Sequence, residues 1–108
     1  MKKIFLFCDA GMSTSLLVSK MREVAKKHDV NVQIEALPFA RSFEIIEKKE
    51  VDCILLGPQV KFLLKDIEEK CAEYNIPVDV ISATAYGTMN GEKVLKQAIK
   101  MIRGSKKN

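Results

Sequence analysis

The sequence lacks a long apolar run and a paired set of cysteines, and each absence excludes a class of protein. Its apolar runs are only a few residues long, far short of the about 20 residues that cross a bilayer. The short apolar stretch from Ile4 to Cys8, which ends at Asp9, does not match a secretory signal peptide. Three cysteines, an odd number without paired spacing, do not indicate a disulfide framework. We therefore expect a cytoplasmic protein with free thiols and no direct membrane insertion.

Size and charge balance are those of one small folded domain. The 108 residues include 47% hydrophobic residues, with 18 Lys and Arg against 14 Asp and Glu, which is not the composition of a disordered chain. The net charge of +4 comes largely from the last helix and the tail, at positions that avoid the apolar stripe. We interpret it as a solvated face, with no nucleic-acid partner. The sequence predicts a single monomeric domain over residues 1–103 and a basic tail over residues 104–108.

Two kinds of periodicity alternate along the chain and predict four strands and four helices. In chain order they are strand 4–8, helix 13–28, strand 31–37, helix 42–49, strand 51–57, helix 60–71, strand 77–81 and helix 94–102. The first and third strands are continuous apolar runs, as expected of central strands, whereas the second and fourth carry polar residues, as edge strands do. This pattern predicts an α/β fold with a parallel sheet of strand order 2-1-3-4 and helices on both faces.

Ligands of such sheets bind beyond the carboxyl ends of the strands, where the strand order reverses. The loop that leaves the first strand there reads Cys8-Asp9-Ala10-Gly11-Met12-Ser13-Thr14-Ser15. Gly11 permits a tight turn, and the three hydroxyl residues can cap the following helix. The backbone N–H groups and the helix dipole favour a bound anion, and the same field favours a cysteine thiolate. A nucleophilic sulfur beside an anion site predicts phosphoryl transfer through phosphocysteine at Cys8.

Other candidate residues have simpler interpretations. Cys53 falls within a buried strand and Cys71 on the apolar stripe of a helix, so both are predicted to be core residues. His28, the only histidine, lies near a helix C-terminus and is interpreted as a cap rather than a phosphate acceptor. The sequence has neither the zinc-type spacing of cysteines and histidines nor a Walker loop. We expect no metal and no cofactor.

A small cysteine phosphatase is the closest alternative, because its cysteine is also followed by a phosphate-binding loop. Its motif, Cys-x₅-Arg-Ser/Thr, places an arginine where this chain has Thr14, and the residues after the fourth strand, 82–87, offer no aspartate as general acid. The residues therefore favour relay of phosphate over hydrolysis. A phosphatase or arsenate-reductase-like enzyme, and a non-catalytic binding module, stay open as alternatives.

The segment from Lys3 to Met21 resembles the IIB component of the bacterial phosphoenolpyruvate-dependent sugar phosphotransferase system, lactose/cellobiose (chitobiose) family. Residues 55–59, Tyr86-Gly87 and Asn90-Gly91 resemble it too. The resemblance implies a phosphotransferase whose fold is like that of small cysteine phosphatases. It also implies that Cys8 accepts phosphate from a phosphohistidine of a IIA protein and passes it to a sugar held by the membrane transporter IIC.

The same resemblance implies a role for the loop and a class of sugar. The loop from Asp9 to Ser15 would hold the phosphoryl group, mainly through backbone N–H groups. The sugar would be a β-linked disaccharide such as cellobiose, chitobiose or lactose. Ala10, Met12 and Pro58 are candidates for the rim that contacts the IIA protein, and Asp9, a carboxylate beside phosphocysteine, is hypothesised to tune turnover.

Overall fold

Four parallel strands form a sheet at the centre of the fold, in the order β2-β1-β3-β4. The structure, a computed structural model, describes residues 1–8, 11–48 and 50–105. The strands are β1 (Lys2–Cys8), β2 (Val32–Pro38), β3 (Cys53–Leu56) and β4 (Val78–Val80). β1 pairs along its length with β2 and, from Ile4 to Phe7, with β3. Strand order and direction confirm the prediction made from the apolar runs.

Helices connect the strands. They are α1 (Gly11–Lys27), α2 (Ser42–Glu47), α3 (Leu64–Ala72), α4 (Ala83–Gly87) and α5 (Gly91–Ser105), with 3-10 helices at Phe39–Arg41 and Pro58–Leu63. The sequence did not predict α4, because its five residues are too few to show a helical period. α5 runs through Gly104 and Ser105, the first two residues of the predicted tail. Residues 106–108 of that tail lie outside the described residues.

The two faces of the sheet carry separate apolar layers, because successive side chains of a strand point to opposite faces. Ile4 and Leu6 of β1 pack with α1 and α5, while Phe5 and Phe7 pack with α2 and α3. All four residues of β3 are buried. Burial on both faces explains why the two central strands read as continuous apolar runs.

α1 and α5 approach each other closely at Gly91, the first residue of α5. A Cβ atom at this position would lie 2.7 Å from the carbonyl carbon of Lys20 and 2.8 Å from the amide nitrogen of Met21. Asn90 caps α5, since its Oδ1 accepts a 3.0 Å hydrogen bond from the Lys93 N–H. The start of α5 is thereby held against the middle of α1, the helix that follows Cys8.

Candidate functional site

Cys8 is the last residue of β1, at the carboxyl edge of the sheet. Pro38 of β2 lies beside it. On the other side, the N–H of Gly57, which follows β3, donates a 3.0 Å hydrogen bond to the carbonyl of Phe7. The chain passes from β1 to β2 on one side, and β3 lies on the other. Cys8 therefore occupies the point where the strand order reverses, which is the predicted ligand position of such a sheet.

α1 begins three residues after Cys8 and extends for 17 residues. The N–H groups of its first turn have no acceptor within the helix, and the helix dipole places positive charge there. The first turn contains no acidic residue, whereas Lys26 and Lys27 occupy the last turn. Charge along α1 thus leaves its N-terminus suited to an anion such as a phosphoryl group.

The predicted phosphate loop is largely the first turn of α1. Residues 11–15 are helical, so the helix begins two residues before the predicted start at position 13. Thr14 is fully buried and Ser15 is exposed. Asp9 and Ala10 lie outside the described residues, so their assigned roles stay predictions.

Thr14 is linked to a residue far along the chain. Its Oγ1 lies 2.9 Å from the hydroxyl oxygen of Tyr86, in α4. The Tyr86 ring lies beside the carboxyl ends of the central strands: a Cβ atom at Gly57 would be 3.7 Å from its Cε2 and 3.7 Å from the Phe7 carbonyl oxygen. Tyr86 therefore belongs to the site. Sequence reasoning gave it no role, and the one signal it offered was the resemblance that included Tyr86-Gly87.

Cys8 is only 2% exposed. Reactive cysteines are usually accessible in part, and in-line phosphoryl transfer needs a direct approach to the sulfur. Direct approach to Sγ therefore requires the surrounding residues to move. The sequence pattern placed Cys8 correctly at the sheet edge but carried no information on this burial.

The other two cysteines are core residues, as predicted, with 0% and 1% exposure at Cys53 and Cys71. Burial raises the pKa of Cys53 to about 12, with smaller contributions from the carboxylates of Asp79 and Asp52. Burial also raises the pKa of Cys71 to about 11, with a contribution from Glu68. Both thiols stay protonated at neutral pH and are therefore poor nucleophiles.

His28 is exposed and follows the last residue of α1. It lies at the opposite end of that helix from Cys8, about 25 Å away along the axis at 1.5 Å per residue. This position agrees with a capping role and separates the imidazole from the site.

Large exposed apolar side chains lie on elements that start at the carboxyl edge. Phe62 is 73% exposed in the 3-10 helix that follows β3, and Leu16 is 51% exposed in α1. Pro58, a predicted rim residue, is half-buried and begins the same 3-10 helix as Phe62. Met12, the other, lies in the first turn of α1. Sequence reasoning missed Phe62, although an aromatic residue off the apolar stripe was an available signal.

Two further features concern ligands and membranes. Across residues 1–8, 11–48 and 50–105, no group of three or more His, Cys, Asp or Glu side chains could hold a metal ion. No helix in the described part of the chain is long and apolar enough to span a bilayer.

Fold and site together define a small α/β protein with a cysteine at the switch point of a parallel sheet, followed by a helix N-terminus that suits a phosphoryl group. Residues 3–97 match the family model described as the PTS system, lactose/cellobiose specific IIB subunit. The chain belongs to this family of phosphotransferase components. Membership confirms the resemblance seen in the sequence and favours phosphoryl transfer over the hydrolytic alternative.

Relatives from three bacteria match over nearly their whole length. The oligo-beta-mannoside-specific EIIB component of Bacillus subtilis is 40% identical over 102 residues, covering 94% of this chain and 97% of the relative. The galactose-specific EIIB component of Lactococcus lactis subsp. cremoris is 41% identical over 104 residues, which cover 90% of this chain and 93% of the relative. The solution structure of the cellobiose-specific IIB component of Borrelia burgdorferi superposes with a TM-score of 0.79 at 41% identity. The superposition covers 96% of this chain and 94% of that structure.

Proposed function

We propose that this chain relays phosphate through a phosphocysteine at Cys8, from a phosphohistidine of a IIA protein to a sugar bound by a membrane IIC transporter. The observation that carries the proposal is the position of Cys8 at the switch point, three residues before the start of a helix with no acidic residue in its first turn. The raised pKa values of Cys53 and Cys71 make these two thiols poor nucleophiles, and neither lies at the carboxyl end of a strand as Cys8 does.

The relay consists of two in-line displacements. In the first, the Cys8 thiolate attacks the phosphorus of the phosphohistidine. The S–P bond forms as the N–P bond breaks, and the imidazole nitrogen keeps the electron pair and takes up a proton. In the second, a sugar hydroxyl oxygen attacks the same phosphorus. The O–P bond forms as the S–P bond breaks, the hydroxyl proton is released, and the Cys8 thiolate is regenerated.

A cradle made mainly of backbone N–H groups suits a carrier rather than a hydrolase. The position that holds the phosphate-clamping arginine in cysteine phosphatases is Thr14. Among the other candidates for a clamp, Arg22 donates a 3.0 Å hydrogen bond to the carbonyl of Ile34, and Arg41 pairs with Glu44 at 3.6 Å. A cradle that neutralises the phosphoryl charge only in part lets the group leave to the next acceptor.

The IIA protein docks on the carboxyl edge around Cys8. The exposed Phe62 and the half-buried Pro58, together with Met12, Ala10 and Leu16, form the proposed rim. Exposed apolar side chains on elements that begin at the same edge as a nucleophile are typical of a surface that a protein partner covers. Docking there supplies both the phosphohistidine and the rearrangement that uncovers the sulfur.

The proposed sugar is a β-linked disaccharide, such as cellobiose, chitobiose or lactose. The relatives described above are about equally similar to this chain, yet their names specify oligo-beta-mannosides, galactose and cellobiose. That spread supports selection of the sugar by the transporter rather than by this component.

A reconstituted relay tests the proposal. Phosphorylated IIA, this protein and membranes that contain IIC are combined with radiolabelled phosphate donor, and the sugar phosphate formed is measured. Cys8→Ser abolishes sugar phosphorylation because it removes the sulfur nucleophile, while Cys71→Ala, which removes a core thiol, retains it. Transfer by Cys8→Ser at the wild-type rate would falsify the assignment.

A further inference from the structure

The hydroxyls of Tyr86 and Thr14 form a hydrogen bond between residues 72 positions apart in the sequence. Tyr86 is 7% exposed and Thr14 is 0% exposed, so the bond is shielded from water. A buried hydroxyl without a partner is costly, and a phenylalanine would fill the same space without that need. Packing alone therefore does not explain why these two positions carry hydroxyl groups.

Each end of this link is fixed to a rigid element. The Oγ of Ser82 caps α4 by accepting a 3.1 Å hydrogen bond from the Ala85 N–H. At the other end of α4, the N–H of Met89 donates to the carbonyl of Tyr86 at 3.1 Å and that of Asn90 to the carbonyl of Ala85 at 2.9 Å. Hydrogen bonds thus cap α4 at both ends, and they hold the Tyr86 ring in place beside the ends of β1 and β3.

Thr14 is the fourth residue of α1, so it belongs to the turn whose N–H groups are left without helical acceptors. A bond to its side chain fixes the orientation of that turn relative to β1 and β3. Cys8 ends β1. The bond between Tyr86 and Thr14 accordingly joins the first turn of α1 to α4.

We propose that Tyr86 is a positioning residue for phosphoryl transfer, acting through the Thr14 hydroxyl; this inference rests on the proposed phosphocysteine at Cys8. A hydroxyl has one proton and two acceptor lone pairs. When Tyr86 donates to Thr14, the Thr14 proton is available to a phosphoryl oxygen, and each bond in the chain strengthens the next. In the unloaded protein the donor and acceptor of the pair can reverse.

The test compares phosphocysteine formation and its ³¹P signal in four proteins: wild type, Tyr86→Phe, Thr14→Val and the double variant. Loss of one hydrogen bond to the loaded state lowers the rate of transfer from phosphorylated IIA about tenfold in each single variant. Removing a donor also moves the phosphoryl titration, followed by ³¹P chemical shift, to higher pH. If Tyr86 acts through Thr14, the double variant is no slower than Thr14→Val.

Controls separate positioning from general stability. Tyr74→Phe removes the hydroxyl of the other tyrosine, which packs in the layer on the opposite face of the sheet, and leaves both the rate and the ³¹P titration unchanged. Thr14→Ser keeps a hydroxyl and restores most of the activity. Wild-type rate and titration in Tyr86→Phe, or additive losses in the double variant, overturn the positioning role while Cys8 is still phosphorylated. Absence of phosphate from the wild-type protein overturns the proposed function itself, and this inference with it.

Discussion

Substitution of Gly91 by alanine is expected to loosen the contact between α1 and α5. The new Cβ would lie 2.7 Å from the carbonyl carbon of Lys20, 2.8 Å from the amide nitrogen of Met21 and 2.9 Å from the Lys20 Cβ. Two of these atoms are backbone atoms of α1, so a change of side-chain rotamer cannot relieve the overlap. Overpacking of this kind costs about 1–3 kcal/mol. Gly91 is the first residue of α5, where the helix propensity of alanine offsets little.

Thermal unfolding followed by circular dichroism measures the effect. A loss of about 2 kcal/mol lowers the Tm of a domain this size by about 10 °C. Gly104→Ala is the matched control in the same helix, since nothing lies within 4 Å of its added Cβ. It is expected to raise stability by a few tenths of a kcal/mol through helix propensity. An unchanged Tm in Gly91→Ala would refute the close approach of the two helices.

Three further predictions concern the partner surface, alkaline stability and a helix end. Phe62→Ala is expected to raise the KM for phosphorylated IIA about fivefold with little change in Tm. Phe43, which is 48% exposed on α2, is the control, and Phe43→Ala is expected to leave the KM unchanged. Equal KM values in the two variants would remove Phe62 from the rim. The pKa of Cys53 rises to about 12 from an ordinary 9.0, so the unfolded chain releases this proton first. The contribution of this thiol to stability is then complete below pH 9, and stability falls by about 1.4 kcal/mol per pH unit between pH 9 and the pKa of the folded state. Urea unfolding at pH 8 and pH 10 measures this loss of unfolding free energy, which is expected to be smaller in Cys53→Ala than in the wild type. An equal loss in the two proteins would contradict the assignment to Cys53. Asp29, at the end of α1, has a φ of 57°, a left-handed conformation that strains a residue with a Cβ atom. Asp29→Gly relieves this strain and is expected to raise stability by about 0.5 kcal/mol. A lower Tm in this variant would contradict the presence of strain.

Much of the fold follows from local patterns. Ile4 to Cys8 reads as a strand buried on both faces, and the sheet places it in the centre. The alternation around Ile34 marks β2 as an edge strand. From these patterns and the handedness of crossovers, the strand order and the position of Cys8 follow without further information.

These local patterns do not predict contacts between segments that are distant in the sequence. α4 is shorter than two helical turns, so Tyr86 shows no periodicity that would place it in a helix, and its bond to Thr14 depends on how α4 folds back over the sheet edge. The approach of Gly91 to Lys20 likewise depends on the packing of two helices. The 2% exposure of Cys8 arises from three-dimensional packing and not from its neighbours in sequence.

The central claim is that Cys8 carries the phosphoryl group, and tandem mass spectrometry of the intact protein after incubation with phosphorylated IIA tests it most directly. The wild-type protein is predicted to gain one phosphoryl group that localises to Cys8, as is Cys71→Ala, which lacks only a core thiol. Cys8→Ser is predicted to gain none while keeping its circular dichroism spectrum. A phosphoryl group at any other residue of the wild-type protein, or one retained by Cys8→Ser, would contradict the account.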